Sequence, residues 1–312
     1  MAIRVIRPGM LTTVQDAGRW GVQARGVPVA GPMDPCSHRV ANALVGNARD
    51  AALLEVTLIG PDLEFEDERI VAIAGAEFHV TLDGRGVPMH APFVVSSGAR
   101  LTFGARQRGA RAYLAVSGGI ATPPVLGSRA THVISAVGGL DGRALRAGDR
   151  LPLLPSPAAQ PAGAPVEPIV PLPGGTARVR VMAGPQREYF ASDALAALES
   201  APYMIRPDSD RMGFRLDGPV LTHARGADVI SDATPLGVLQ VPASGQPILL
   251  MADRQTTGGY PKIATVITAD MPIAGQLGPG DAIQFAVCTL QEAMAALIAQ
   301  ERALMPLEAH RP

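Results

Sequence analysis

The segment from Ala252 to Lys262, ADRQTTGGYPK, concentrates polar side chains next to the apolar run ILLM. It carries the carboxylate of Asp253 and the cations Arg254 and Lys262, and Lys262 is the only lysine among 27 basic residues. The other members are neutral groups on a Gly-rich loop: Gln255, Thr256, Thr257, Gly258, Gly259 and Tyr260. An ammonium is a compact charge whose pKa falls readily on burial, whereas a guanidinium binds carboxylates through two parallel contacts. The segment therefore predicts a substrate site.

A second cluster, SDRMGFRL from Ser209, places Asp210 and Arg211 just before Gly213 at the start of a predicted strand. The alternative interpretation is a turn with a local ion pair. Together, the two clusters would offer cations for a carboxylate or phosphate and an aspartate for proton transfer, which suits small-amide or carboxyl-group chemistry. The residue types alone do not specify the reaction.

A third cluster, GPMDPCSHRVAN from Gly31, places His38 and Asn42 four residues apart on one face of a predicted helix near Asp34. We include both residues in the predicted substrate site. The alternative interpretation is a capped helix that packs on a barrel.

Several common chemistries lack their motifs. Lys262 follows Pro261, so no P-loop is present, and neither a GxGxxG that opens a helix nor a GxSxG elbow occurs. The six histidines show no HxxxH or HExxH spacing, and we expect no metal bound by this chain alone. A net charge of −1 without a basic stripe argues against nucleic-acid and membrane partners. Cys36 and Cys288 lie far apart, which suits a reducing cytoplasm.

Short apolar runs broken by 34 glycines and 29 prolines indicate a mainly β chain of barrels or sandwiches. Three helices are predicted, at 35–45, 187–199 and 289–304; Asp34 is placed to cap the first and Pro35 to begin it. No segment reaches the ~20 apolar residues of a membrane span.

A Pro-rich stretch marks a domain boundary, because prolines cannot pair within a central sheet. We predict an N-terminal domain at 1–151, a linker at 152–176, and a C-terminal domain at 177–312 that ends in a helix. IRVIRPG at Ile3 is weakly similar to VRVMAGP at Val179, which favours a duplicated β-domain.

Motifs along nearly the whole chain resemble those of the biotin-dependent carboxyltransferase family, which includes the C component of 5-oxoprolinase, allophanate-hydrolase subunit 2-like proteins and the carboxyltransferase region of urea carboxylase. The matching motifs are GPMDPCSHRVANALVGN, LEVTLIGP, YLAVSGGI, LGSRATH, SDRMGFRL, LQVPASGQPILLMADRQTTGGYPKIATV and QLGPGD. The resemblance implies two tandem cyclophilin-like β-barrel domains with a few short helices. It also implies a hetero-oligomer with the B-like and A components of 5-oxoprolinase, in which this chain is inactive alone.

The activity that the resemblance implies is ATP-dependent opening of the 5-oxoproline lactam to glutamate. ATP would be bound through the complex. We expect Asp253 to act as general base or amide anchor, Arg211 and Arg254 as carboxylate or phosphate clamps, and Lys262 as an electrostatic stabiliser, with Asp210 as a further catalytic candidate.

Two other functions stay open. In one, the chain transfers a carboxyl group from carboxybiotin to urea or a related amide, with Lys262 or Arg254 holding the ureido oxygen. Lys262 lies in the sequence YPKI, which differs from the Met-Lys-Met expected of a biotin attachment site. In the other, the chain resembles regulatory Kip-type proteins and sequesters a partner that inhibits a kinase.

Overall fold

The computed structural model describes residues 1–156 and 165–309, which divide into two compact units. Unit 1 contains Met1–Arg19, Ala30–Leu172 and the segment that begins at Arg302. Unit 2 contains Trp20–Val29 and Pro173–Glu301. Within the described ranges, no helix combines the length and the apolar character needed to cross a membrane.

Unit 1 is built on a nine-stranded sheet with one helix packed against it. Its elements are β1 (Ala2–Arg7), β2 (Leu11–Gln15), α1 (Pro35–Leu44), β3 (Leu53–Thr57), β4 (Asp62–Phe65), β5 (Arg69–Leu82), β6 (Arg85–Gly86), β7 (Pro92–Val95), β8 (Arg100–Val116) and β9 (Arg150–Pro152). The strand order is β2-β3-β8-β4-β1-β9, and β5 pairs with β6, β7 and β8. The long pair β5–β8 is antiparallel and bears register shifts, which are typical of a strongly bent sheet.

Unit 2 is a closed seven-stranded barrel with strand order β10-β17-β14-β15-β12-β11-β18. Its elements are β10 (Thr176–Ala183), α2 (Ala194–Ser200), β11 (Tyr203–Ile205), β12 (Gly213–Asp217), β13 (Asp232–Ala233), β14 (Val238–Gln240), β15 (Ile248–Leu250), β16 (Thr257–Gly258), β17 (Lys262–Val266), α3 (Met271–Gly275), β18 (Ala282–Val287) and the part of α4 (Leu290–Ala309) that precedes Arg302. β10 and β18 pair in parallel and close the barrel, while β13 and β16 form a separate two-stranded sheet.

The expected mainly β architecture with barrel sheets and few helices is confirmed. The first predicted helix is also confirmed, because α1 begins at Pro35 and the Asp34 side chain accepts a hydrogen bond from Ser37 N at 2.9 Å.

The second predicted helix is wrong as a continuous element. A 3-10 turn, Arg187–Tyr189, is separated from α2 by extended backbone at Phe190, whose side chain is buried. Phe190 forms a β-bridge with His223, and this long-range pairing interrupts the helix.

The third helix runs beyond its predicted end at Leu304 and continues through Pro306 to Ala309. The extension is stabilised within unit 1, since Leu304 is buried in the core cluster that contains Val40 and Tyr113. Glu308 also forms an ion pair with Arg39 at 2.7 Å.

The division into units differs from the predicted domain boundaries at three places. Residues 20–29 group with unit 2, and the segment from Arg302 groups with unit 1, whose core takes up Leu304. Within the predicted linker, Val166, Ile169 and Val170 pack against the same core cluster of unit 1. Residues 157–164 of that linker lie outside the described residues. These differences depend on long-range packing that the Pro-rich composition does not encode.

Candidate functional site

Arg211 and Asp253 form a buried ion pair in unit 2. Nε and Nη2 of Arg211 donate to Oδ2 and Oδ1 of Asp253, both at 3.0 Å, and Asp253 N donates to Arg211 O at 2.8 Å. Arg211 directly precedes Met212 and β12, while Asp253 follows β15. The pair therefore fixes the start of the loop that carries Arg254.

Lys262 begins β17 and is buried, with only 2% of its side chain exposed. Its Nζ donates to Oδ2 of Asp232 at 2.7 Å, and 55% of the Asp232 side chain is exposed. The hydrogen bond from Lys262 is the main cause of a lowered pKa at Asp232. The main chain of Lys262 is held as well, because its N donates to Oε1 of Gln186 at 3.1 Å. The ammonium is thus committed to a carboxylate that the sequence did not single out.

Arg254 has a different environment, because its partners are main-chain carbonyls. Nε donates to Thr234 O at 2.8 Å, and Nη1 donates to Met251 O at 3.4 Å. Neither bond uses Nη2, and Arg254 forms no ion pair with any residue in the described ranges. Burial lowers the pKa of Arg254, and the nearby charge of Asp253 opposes that effect.

The Gly-rich part of the segment forms a small two-stranded sheet. Thr257 and Gly258 pair with Ala233 and Asp232, and Gly259 O accepts a hydrogen bond from Val229 N at 2.8 Å.

Gln240 connects two further members of the segment. Its Oε1 accepts from Gln255 Nε2 at 3.2 Å, and its Nε2 donates to Tyr260 O at 3.3 Å. A side chain on a barrel strand thus holds the Gly-rich segment in place.

A cleft of about 350 Å³ opens beside this segment within unit 2. It is lined by Trp20, Gln23, Val29, Ala233, Thr234, Pro235, Leu236, Arg254, Gln255 and Thr256. Thr234 holds one wall in place, because its N donates to Thr256 O at 3.1 Å and its hydroxyl donates to Gln255 O. The cleft combines one buried cation with neutral polar and apolar walls.

Asp210 belongs to a turn beside this arrangement. Its Oδ1 accepts from Met212 N at 2.8 Å and from Gly213 N at 3.3 Å, which gives the turn of the alternative interpretation, whereas Arg211 forms its ion pair with the distant Asp253.

His38 and Asn42 lie in α1 of unit 1 and are both buried. Asn42 donates to Ala51 O at 2.9 Å and accepts from Asn47 Nδ2 at 3.1 Å, so its amide links α1 to the following loop. Burial lowers the pKa of His38 to about 4, against the opposing effect of Asp16. The remaining predicted residues all belong to unit 2.

The family model described as "Carboxyltransferase domain, subdomain A and B" matches residues 25–287, which is most of the chain. The chain belongs to this carboxyltransferase-domain family.

Two curated relatives match the chain over nearly its full length. The C component of 5-oxoprolinase from Escherichia coli (strain K12) is 41% identical over 96% of this chain and 96% of its own. The C component of 5-oxoprolinase from Haemophilus influenzae is 36% identical over 90% of this chain and 89% of its own.

Among solved structures, the K. lactis urea amidolyase superposes with a TM-score of 0.93 at 33% identity. That comparison covers 98% of this chain and 20% of the amidolyase, so the carboxyltransferase domain spans about a fifth of the longer protein.

The sequence did not single out several residues of the candidate site, among them Trp20, Gln23 and Thr234 of the cleft and Asp232, the partner of Lys262. Trp20 and Gln23 are more than 200 positions from Arg254 in the chain, and no local pattern connects them. Asp232 carries one usable signal. It is a carboxylate in the polar stretch RGADVISD. The only lysine of the chain needs an anionic partner if it is buried, and a carboxylate in such a stretch is a candidate for that partner.

No group of three or more His, Cys, Asp and Glu side chains could hold a metal ion among residues 1–156 and 165–309. Neither Cys36 nor Cys288 forms a disulfide among the described residues.

Proposed function

We propose that the chain is the C component of an ATP-dependent 5-oxoprolinase complex, which opens 5-oxo-L-proline to L-glutamate together with the A and B components. The observation that carries this proposal is the 41% identity to the C component of E. coli 5-oxoprolinase, which extends over 96% of both chains. The match to urea amidolyase covers only 20% of that protein. A relationship that spans both chains from end to end favours the same role for both.

The reaction consumes two waters and one ATP. One water adds to the lactam carbonyl as the ring C–N bond breaks, which yields the new carboxylate and the free amine of glutamate. The other water is consumed as ATP yields ADP and inorganic phosphate. The uphill opening of a stable amide is thereby coupled to phosphate release.

Within this reaction, we assign the chain the binding and orientation of the small substrate. The cleft of unit 2 supplies Arg254 as the cation and Gln255 and Thr256 as neutral groups. Lys262 would stabilise negative charge, and it would have to exchange its contact with Asp232 to do so. Asp253 would act as a base only after leaving Arg211, so we place it behind the site, where it positions the loop.

ATP is assigned to the complex, because the sequence contains no P-loop that could cradle its phosphates. The A and B components of 5-oxoprolinase are the proposed partners. Cys36 and Cys288 form no disulfide in the part of the chain that the structure describes, which suits a reducing compartment, and we propose the cytoplasm.

A second candidate is carboxyl transfer from carboxybiotin to an amide, which the TM-score of 0.93 to urea amidolyase favours. It requires affinity for biotin. Titration calorimetry of biotin into the chain with its partners tests it, and the absence of binding would remove this candidate.

The main experiment measures ATP-dependent glutamate release from 5-oxoproline by the three-component complex, with each component omitted in turn. We expect turnover with all three and none when this chain is left out. Turnover at the full rate by the other two components alone would contradict the proposal. An assembled complex that is inactive on 5-oxoproline but carboxylates an amide would replace it by the second candidate.

A further inference from the structure

We propose that the cleft of unit 2 binds the substrate through its carboxylate, with Arg254 as the single cationic partner and Trp20 as the apolar wall beside it. This inference rests on the proposed function and narrows it, because it assigns one end of the substrate to one residue. It also extends the site to a tryptophan that lies far from the polar segment in sequence.

Among the cations of the cluster, Arg254 is the one that can still bind an anionic ligand. Both carboxylate oxygens of Asp253 already engage Arg211, and Lys262 is committed to Asp232. Arg254 instead donates to two neutral carbonyls, through Nε and Nη1, which leaves Nη2 without a hydrogen bond in the described residues. Arg254 is only 8% exposed, so most of the cost of removing its guanidinium from water precedes ligand binding, and a bound carboxylate gains more from it than from an exposed arginine.

The two existing bonds also fix the orientation of the guanidinium. Because Thr234 O and Met251 O hold Nε and Nη1, the plane of the group is set before any ligand arrives. Thr234 is in turn bonded to Gln255 and Thr256, which line the same cleft. A preorganised donor loses little conformational entropy on binding.

The cleft selects for a compact monoanion. Its volume of about 350 Å³ lies at the lower end of the ~300–1,000 Å³ typical of ligand pockets. One cation balances one carboxylate, whereas a triphosphate calls for several. Trp20, Val29 and Leu236 supply apolar surface, and Gln23 and Gln255 supply amides. A five-membered lactam with one carboxylate has this combination of a small apolar ring, an amide and a single charge.

Trp20 makes the inference measurable, because it is the only tryptophan of the chain and 60% of the residue is exposed. Titration of 5-oxoproline into the isolated chain should give a saturable change in tryptophan fluorescence. The control ligand is 2-pyrrolidinone, which is the same lactam without the carboxylate. It should bind at least about tenfold more weakly, because the charge-assisted bonds to Arg254 are lost. Equal affinities for the two lactams would overturn the role of the carboxylate.

Two sets of variants locate the contact. Arg254→Met should weaken 5-oxoproline binding at least about tenfold, whereas Arg178→Met, an exposed arginine on β10, should leave it unchanged. Arg254 also supports the wall of the cleft at Thr234, so its replacement could disturb the wall itself. Two variants of Thr256 that differ in charge test the site while Arg254 stays in place. Thr256→Asp places an anion in the cleft and should weaken binding at least about tenfold more than Thr256→Asn, which is of similar size and adds no charge. Equal binding by both Thr256 variants would contradict the assignment.

The same variants in the three-component assay separate the two proposals. If wild-type turnover occurs and Arg254→Met raises the KM for 5-oxoproline at least about tenfold, both proposals hold. If turnover occurs with an unchanged KM in Arg254→Met, the function stands and this inference is wrong. If the wild-type complex does not turn over 5-oxoproline, the proposed function fails, and the fluorescence titration still decides whether the cleft binds the lactam carboxylate.

Discussion

Arg211 donates two hydrogen bonds to the Asp253 carboxylate, from Nε and Nη2, and both measure 3.0 Å. Both residues are buried, so they form a bidentate ion pair inside unit 2. A carboxylate held in this way acts first as a support for the loop that follows it. Its contribution can be measured separately from any role in turnover.

Removing one partner of this pair should be costly. Arg211→Met leaves the Asp253 carboxylate buried without its cation, and we expect a loss of about 3–5 kcal/mol in the free energy of unfolding. Arg215→Met is the control, because the ion pair between Arg215 and Asp208 is exposed and long, at 3.5 Å. Its loss should lower the free energy of unfolding by no more than about 1 kcal/mol. Urea titrations of both variants give these values. Similar costs for the two arginines would contradict a supporting role for the buried pair.

The Lys262–Asp232 contact predicts a dependence of stability on pH. Its hydrogen bond from Lys262 lowers the pKa of Asp232 in the folded state. The contribution of this contact to the free energy of unfolding is therefore complete above the pKa of about 3.9 that Asp232 has in the unfolded chain. It is lost as the pH falls through the lower pKa of the folded state. Asp232→Asn should flatten the fall in urea midpoint below about pH 4. If the urea midpoint of Asp232→Asn fell as steeply below about pH 4 as that of the wild type, other carboxylates would be responsible for the acid sensitivity.

His38 predicts a second dependence of stability on pH, at milder acidity. Because burial lowers the pKa of His38 to about 4, the unfolded chain binds a proton that the folded chain does not. Stability should decline as the pH falls from about 6.5 and level off below the folded pKa, with a total loss of about 3 kcal/mol. His38→Gln should remove this decline. A nuclear magnetic resonance titration of His38 that gives a pKa above about 6 would refute the explanation.

Two neighbouring residues of α4 provide a matched pair for packing. Leu304 is 1% exposed in the core of unit 1, whereas Met305 is 62% exposed. Leu304→Ala should lower the free energy of unfolding by about 2–5 kcal/mol, and Met305→Ala should change it by less than about 0.5 kcal/mol. Thermal and urea unfolding of the two variants would settle the point. Equal effects would mean that this part of α4 does not contribute to the core.

Local signals predicted local structure well. Asp34 and Pro35 indicated the start of α1, and the punctuated apolar runs indicated a mainly β chain. The last helix was predicted to end at Leu304, yet it continues through Pro306 because Leu304 and Leu307 pack on the core of unit 1. Propensity was outweighed there by burial.

The candidate site was predictable in its residue types but not in its pairings. The sequence identified Arg211, Asp253, Arg254 and Lys262, whereas the structure shows which of these charges are already neutralised. The pairing of Asp232 with Lys262, and the presence of Trp20 in the cleft, depend on long-range folding. A sequence pattern does not report distances of that kind.

The path of the chain also has a consequence for biosynthesis. Leu304 belongs to the core of unit 1, although the segment that carries it follows all of unit 2 in the sequence. Domains usually fold in the order in which they emerge during synthesis. Here residues 302–309 contribute to the core of the first unit, so that core can be completed only after the last barrel strand has been translated. A nascent chain that stops before Arg302 lacks Leu304, the member of the core cluster with Val40 and Tyr113 that is made last.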